Sequence, residues 1–129
     1  MPSQKRIFGD VGEEIAVSYL TGKGYKIVER NFLRPYGELD IVASKKGSII
    51  FFEVKTRIEQ EGSAFLPEQS VNRKKGHRLR KTSQIYLLEH QYRIDQPWQI
   101  DILAITLDKI TKKARIRHIP NAVMGVEYR

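Results

Sequence analysis

Apolar residues fall along this chain in two spacings. Between Asp10 and Gly22 they recur every three to four positions, at Val11, Ile15, Tyr19 and Leu20, the period of a helix with one buried face. Asp10 stands where an N-cap belongs, Glu13 follows three residues later as in a capping box, and Gly22 and Gly24 supply the stop. From Tyr25 to Phe32 the period changes to two, with Tyr25, Ile27 and Glu29 on one side and Lys26, Val28 and Arg30 on the other, which predicts a strand. Arg34-Pro35-Tyr36-Gly37 is turn-like. It leads into a predicted β-hairpin of roughly 38–44 and 48–56, whose apolar run is broken only around Lys45-Lys46-Gly47-Ser48. A loop-like stretch follows through Glu61-Gly62-Ser63 to Pro67. A second helix is predicted from Pro67 to His90, with Gly76 weakening its middle. Trp98–Leu107 and Ala114–Ile119 complete the series as strands joined by an Asp108-Lys109 turn. The order α-β-β-β-α-β-β predicts an α/β fold, a central sheet flanked by helices, in a single domain over residues 1–129.

The hairpin carries the candidate chemistry. A two-residue Lys46-Gly47 loop sets Lys45 against Ser48, and the same register sets Asp40 against Glu53, with carboxylates roughly 5 Å apart at Cβ. Lys55 is two residues beyond Glu53 and points to the same side. Asp and Glu are poor strand formers, and facing carboxylates repel unless a cation neutralises them. Against Ile41, Val42, Ile49, Ile50, Phe51, Phe52 and Val54, the two acids break the local rule, which is the usual mark of a functional site. A solvated sheet face neutralised by lysines and arginines accounts for the same pattern. A hard cation such as Mg²⁺ would turn the repulsion into a site. Glu13 is equally well explained as the second half of a capping box.

Composition narrows the partners. Twenty-three Lys+Arg against 15 Asp+Glu give a net charge of +8, which favours an anionic partner, most simply nucleic acid. Arg73-Lys74-Lys75-Gly76-His77-Arg78-Leu79-Arg80-Lys81 holds six of those cations in nine residues. On a helix they cannot all face one way, so part of the run is solvated surface and part is the best candidate for phosphate contacts. With no cysteine there is neither a disulfide framework nor a thiolate metal site. No apolar stretch is long enough to span a membrane, and the polar N-terminus lacks a signal-peptide core, so a cytoplasmic location is expected. His77, His90 and His118 lack metal-ligand spacing and are expected to be surface or packing residues.

Taken in order, Gly12-Glu13-x-x-Ala16, Arg30-Asn31-Phe32, Gly37-Glu38-Leu39-Asp40-Ile41-Val42, Glu53-Val54-Lys55-Thr56-Arg57, Lys75 and Ile100-Asp101-Ile102 resemble the YraN-like family of small bacterial proteins. That family is related to the archaeal Holliday-junction resolvases within the PD-(D/E)xK nuclease superfamily. The resemblance covers roughly residues 5–120. It implies a restriction-endonuclease-like core and a metal-dependent endonuclease acting on DNA, with branched or repair intermediates as one class of substrate. By the same resemblance Asp40 and Glu53 are metal ligands for Mg²⁺ or Mn²⁺, joined by Glu13 and the Val54 carbonyl, and Lys55 is the catalytic lysine. Arg57, Arg73, Lys74, Lys75 and Arg78 would contact nucleic acid, with DNA favoured over RNA, and a homodimer follows by analogy with enzymes that cut two strands. Gln99 departs from the family, which often has arginine there. Two readings without catalysis compete: a nucleic-acid-binding module that keeps the acids as a relic, and a scaffold for an acidic protein.

Overall fold

The computed structural model describes residues 4–59 and 73–123, with side chains from Gly9 in the first segment and from Lys74 in the second. Helix α1 (Gln4–Gly22) is followed by strands β1 (Lys26–Arg34), β2 (Gly37–Lys45) and β3 (Ser48–Glu59), helix α2 (Arg73–Glu89), and strands β4 (Trp98–Asp108) and β5 (Ala114–Ile119). The strands form one sheet in the order β1-β2-β3-β4-β5. All neighbours run antiparallel except β3 and β4, which are parallel because α2 lies between them in the chain. The order of elements and the mixed sheet agree with the predicted α/β, restriction-endonuclease-like arrangement. The loop expected to reach Pro67, and residues 67–72 of the second predicted helix, lie outside the described residues.

Each helix covers one face of the sheet. Ala16 and Leu20 of α1 pack on Ile41, Ala43, Ile50, Phe52, Leu103 and Ile105. Leu79 and Tyr86 of α2 pack on Phe32, Leu39, Val42, Ile49, Phe51 and Ile100. Adjacent residues such as Phe51 and Phe52 therefore point into different cores, as expected of strands buried on both faces. The parallel register runs from Ile49↔Trp98 to Glu59↔Asp108, with β3 at the centre of the sheet.

The hairpin register is the one its sequence predicts. Lys45 faces Ser48 and Ile41 faces Phe52, with Lys46 and Gly47 at φ of 50° and 81°, the double positive-φ turn that matches strand twist. Helix α1 ends as predicted, on a left-handed Gly24 with Tyr25 N–H bonded to Leu20 O and Gly24 N–H to Thr21 O. Its start is a correction. The helix begins at Gln4, so Asp10 is interior and caps nothing, and Val11 is exposed rather than buried. The buried positions are Gly12, Glu13, Ala16 and Leu20. In β1 a bulge between Ile27 and Glu29 breaks the expected alternation.

Candidate active site

The β2–β3 ladder stops at Ile41↔Phe52, one step short of Asp40 and Glu53. Beyond that point the Asp40 carboxylate replaces a ladder bond: its Oδ2 accepts the Val54 N–H at 2.8 Å. Glu53, 7% exposed, follows Phe51 in alternation and so faces the α2 side of the sheet. Lys55, on the same side, reaches Glu53 Oε1 at 3.1 Å. A second lysine comes from the opposite direction, for Lys75 of α2 contacts the same oxygen at 2.8 Å. The sequence places Lys75 among the phosphate contacts, whereas the fold brings it into the acidic centre.

Electrostatics follow from this crowding. Burial, then the charge of Glu53, pushes the Asp40 carboxyl up to about 7, against the Val54 amide, which favours the anion. Burial and the neighbouring Lys75 hold the Lys55 ammonium below its ordinary range, with Glu53 opposing. Burial also works against Lys75, but its bonds to Glu53 and Lys55 outweigh that and carry it upward.

Glu13 is buried at the edge of this centre, yet it takes a different set of partners. Arg30 Nε and Asn31 Nδ2 donate to its Oε1 at 3.1 and 3.0 Å, and Asn31 sits at a φ of 55°. Its charge still contributes to the upward shift of Asp40. Bonding back to Asp10 is excluded because α1 runs unbroken through that residue. Helix α1 approaches β3 closely here, since a Cβ on Gly12 would fall 1.9 Å from Thr56 Oγ1. Among the described residues no three His, Asp or Glu side chains converge as a metal cluster. Asp40 and Glu53 are the two carboxylates at this centre that could serve as ligands to a hard cation, which would need water or substrate oxygens to complete its shell. The repulsion that raises Asp40 is what such a cation would relieve.

Of the predicted nucleic-acid contacts, Arg73 opens α2, Lys74 and Arg78 are exposed on it, and Arg57 is half-buried on β3 beyond Lys55. A cleft of about 530 Å³ lies beside Glu53 and Lys75, between α2 and the β1–β2 turn, with Arg34 and Arg78 on its walls. His90 stacks on Tyr86, and His118 bonds to the buried Asp101 at 2.7 Å, both packing roles as predicted. Gln99 Nε2 donates to Asp101 Oδ1 at 2.8 Å, so the departure at that position is a neutral donor to a buried acid.

Fold and site together define a small α/β protein with a buried acid–lysine centre at the edge of its hairpin ladder. The chain belongs to the uncharacterised protein family UPF0102, whose model matches residues 12–105, in agreement with the family resemblance read from the motifs. It is 40% identical over 114 residues to a UPF0102 protein of Alkaliphilus oremlandii, covering 88% of this chain and 95% of that one. It is 39% identical over 120 residues to UPF0102 protein TTE1452 of Caldanaerobacter subterraneus, covering 92% and 95%. Among solved structures it is similar to SfsA of Pyrococcus furiosus in complex with Ca²⁺, with a TM-score of 0.44 and 19% identity over 89% of this chain and 63% of that one. No described helix is long and apolar enough to cross a membrane.

Proposed function

We propose that this chain is a metal-dependent endonuclease that hydrolyses phosphodiester bonds in DNA. The observation that carries this reading is the meeting of Asp40 and Glu53 with Lys55 and Lys75, beside a cleft walled by arginines. Two acids that repel each other and Lys55 stand on strands buried on both faces, where apolar side chains are the rule, and α2 adds Lys75 to them. Asp40 and Glu53, with the Val54 carbonyl, would hold Mg²⁺ or Mn²⁺, which supplies a Lewis acid and lowers the pKa of bound water. The Asp40–Val54 bond fixes the peptide that carries this carbonyl. Lys55, held beside Glu53, orients the attacking water and lowers its pKa by its charge. Lys75 faces the charge growing on the phosphoryl oxygens. Water loses a proton to solvent as it forms the new P–O bond, and the bond to the leaving oxygen breaks as that oxygen takes a proton from solvent.

One observation favours a second reading. Both lysines bind one oxygen of Glu53, a closed ion-pair arrangement that a nucleic-acid-binding module with a relic site would also keep. Incubating purified protein with linear, single-stranded, flap and four-way DNA, with Mg²⁺ or Mn²⁺ and with chelator, separates the two. Metal-dependent cleavage of any member supports the nuclease, whereas binding without cleavage under either metal favours the module.

A further inference from the structure

The cleft beside Glu53 is built from two dissimilar walls. On the α2 side stand Lys75, Arg78 and the buried Thr82; on the β1–β2 side stand Leu33, Arg34 and Tyr36. Leu33 is 69% and Tyr36 is 36% exposed, so the hairpin turn carries an aliphatic and an aromatic side chain at the cleft's mouth. Nothing in the sheet's packing requires either residue there, since the core on this face is closed by Phe32 and Leu39. Arg34 is held in place by stacking on Phe32, 4.1 Å from the ring centre, and by its bond to Glu89 at 2.9 Å. The walls are fixed close together, because a Cβ on Gly37 would fall 2.4 Å from Thr82 Oγ1. At about 530 Å³ the space has the size of a pocket for one drug-sized molecule, which suits a single nucleotide.

We infer that this cleft takes one unpaired nucleotide of a DNA strand, with the base against Tyr36 and Leu33 and its phosphates toward Arg34, Arg78 and Lys75. The inference rests on reading the acid–lysine centre as a nucleic-acid site, and it names single-stranded segments as the part of the substrate that enters. Stacking on an exposed aromatic side chain is tolerant of sequence, and cations tracking the backbone supply the salt-dependent remainder.

The test is equilibrium binding, in chelator so that no cleavage occurs, of a labelled oligothymidylate of roughly ten nucleotides, within the span of known single-strand sites. A duplex and an abasic strand of the same length serve as comparisons. Wild type should prefer the oligothymidylate to both. Tyr36→Ala should weaken that binding about tenfold and leave the duplex and abasic affinities unchanged, while Tyr36→Phe should restore it. Melting temperatures of the variants show that the fold is kept, and Leu33→Ala gives a second, independent probe of the same wall. Equal affinity for duplex and single strand, or oligothymidylate binding untouched by both alanine variants, overturns the inference. Because cleavage is not read, a dependence on Tyr36 stands even if the protein cuts nothing, and its absence leaves metal-dependent cleavage of a duplex unaffected.

Discussion

Asp40 and Lys75 behave differently from any isolated residue of their type. The Asp40 carboxyl titrates at about 7 when folded, against its ordinary value of 3.8, so the native state holds this proton more tightly than the unfolded chain. Its contribution to stability is therefore present below about pH 4 and is lost as pH rises through about 7. Asp40→Asn keeps an acceptor for the Val54 amide and removes the charge. It should be more stable than wild type by up to about 4 kcal/mol at pH 8, with the gap closing near pH 4. Millimolar Mg²⁺ should raise the melting temperature of wild type and leave that of Asp40→Asn unmoved; thermal melts at both pH values read all of this. Lys55 and Lys75 share one carboxylate oxygen, so either alone still neutralises Glu53. Each single alanine variant should cost about 1 kcal/mol, whereas the double variant strands a buried anion beside Asp40 and should cost about 3–5 kcal/mol. Chemical denaturation of the four proteins would show whether the losses exceed additivity. The side of the sheet that Glu53 and Lys55 share was legible in the sequence, because a two-residue turn and period-two alternation fix it, although the paired ladder ends at Ile41↔Phe52. The roles of Lys75 and Glu13 were not, since their partners are remote in the chain.

At the scale of elements, close approaches position the site. Gly12 lets α1 lie against Thr56 of β3 and thereby holds Glu13 near the acids. Gly12→Ala should destabilise the protein by about 1–3 kcal/mol through overpacking, and Thr56→Ala in the same chain should recover part of the loss, both measurable by denaturant unfolding. Strand boundaries were well marked in the sequence, because period-two alternation and turn residues are local. The start of α1 was not, because Asp10 and Glu13 satisfy a capping pattern that the longer helix overrides. Helix α2 explains the difficulty of its basic run. Its buried stripe is Gly76, Leu79, Thr82, Ser83 and Tyr86, and two of those, Thr82 and Ser83, are small polar residues. Thr82 and Ser83 bond back to Arg78 O and Leu79 O at 2.8 Å, which satisfies their hydroxyls and lets them be buried. A pattern that counts only apolar residues misses that stripe, and with it the distinction between Lys75 and Arg78, which line the cleft, and Lys74 and Lys81, which do not.

For the whole molecule, a net charge of +8 means that the proposed nucleic-acid binding would depend steeply on salt. Replacing Arg73, Lys74 and Lys75 with alanine should weaken binding across sequences. It should also lower the slope of log affinity against log salt by about one for each phosphate no longer neutralised, as a fluorescence titration at several ionic strengths would show. The fold class was legible because seven elements in this order leave few ways to bury two sheet faces. The proposed reaction could be named from the sequence only as what a resemblance implies, because chemistry depends on which charges meet. The most direct test of the proposed centre is cleavage of DNA with Mn²⁺ by wild type, Asp40→Asn and Lys55→Ala, purified side by side. The account predicts cleavage by wild type alone, lost on chelation, with Asp40→Asn binding the DNA at least as tightly because an anion facing phosphate has gone. Equal cleavage by wild type and Asp40→Asn, or none by wild type on any substrate with either metal, would contradict it.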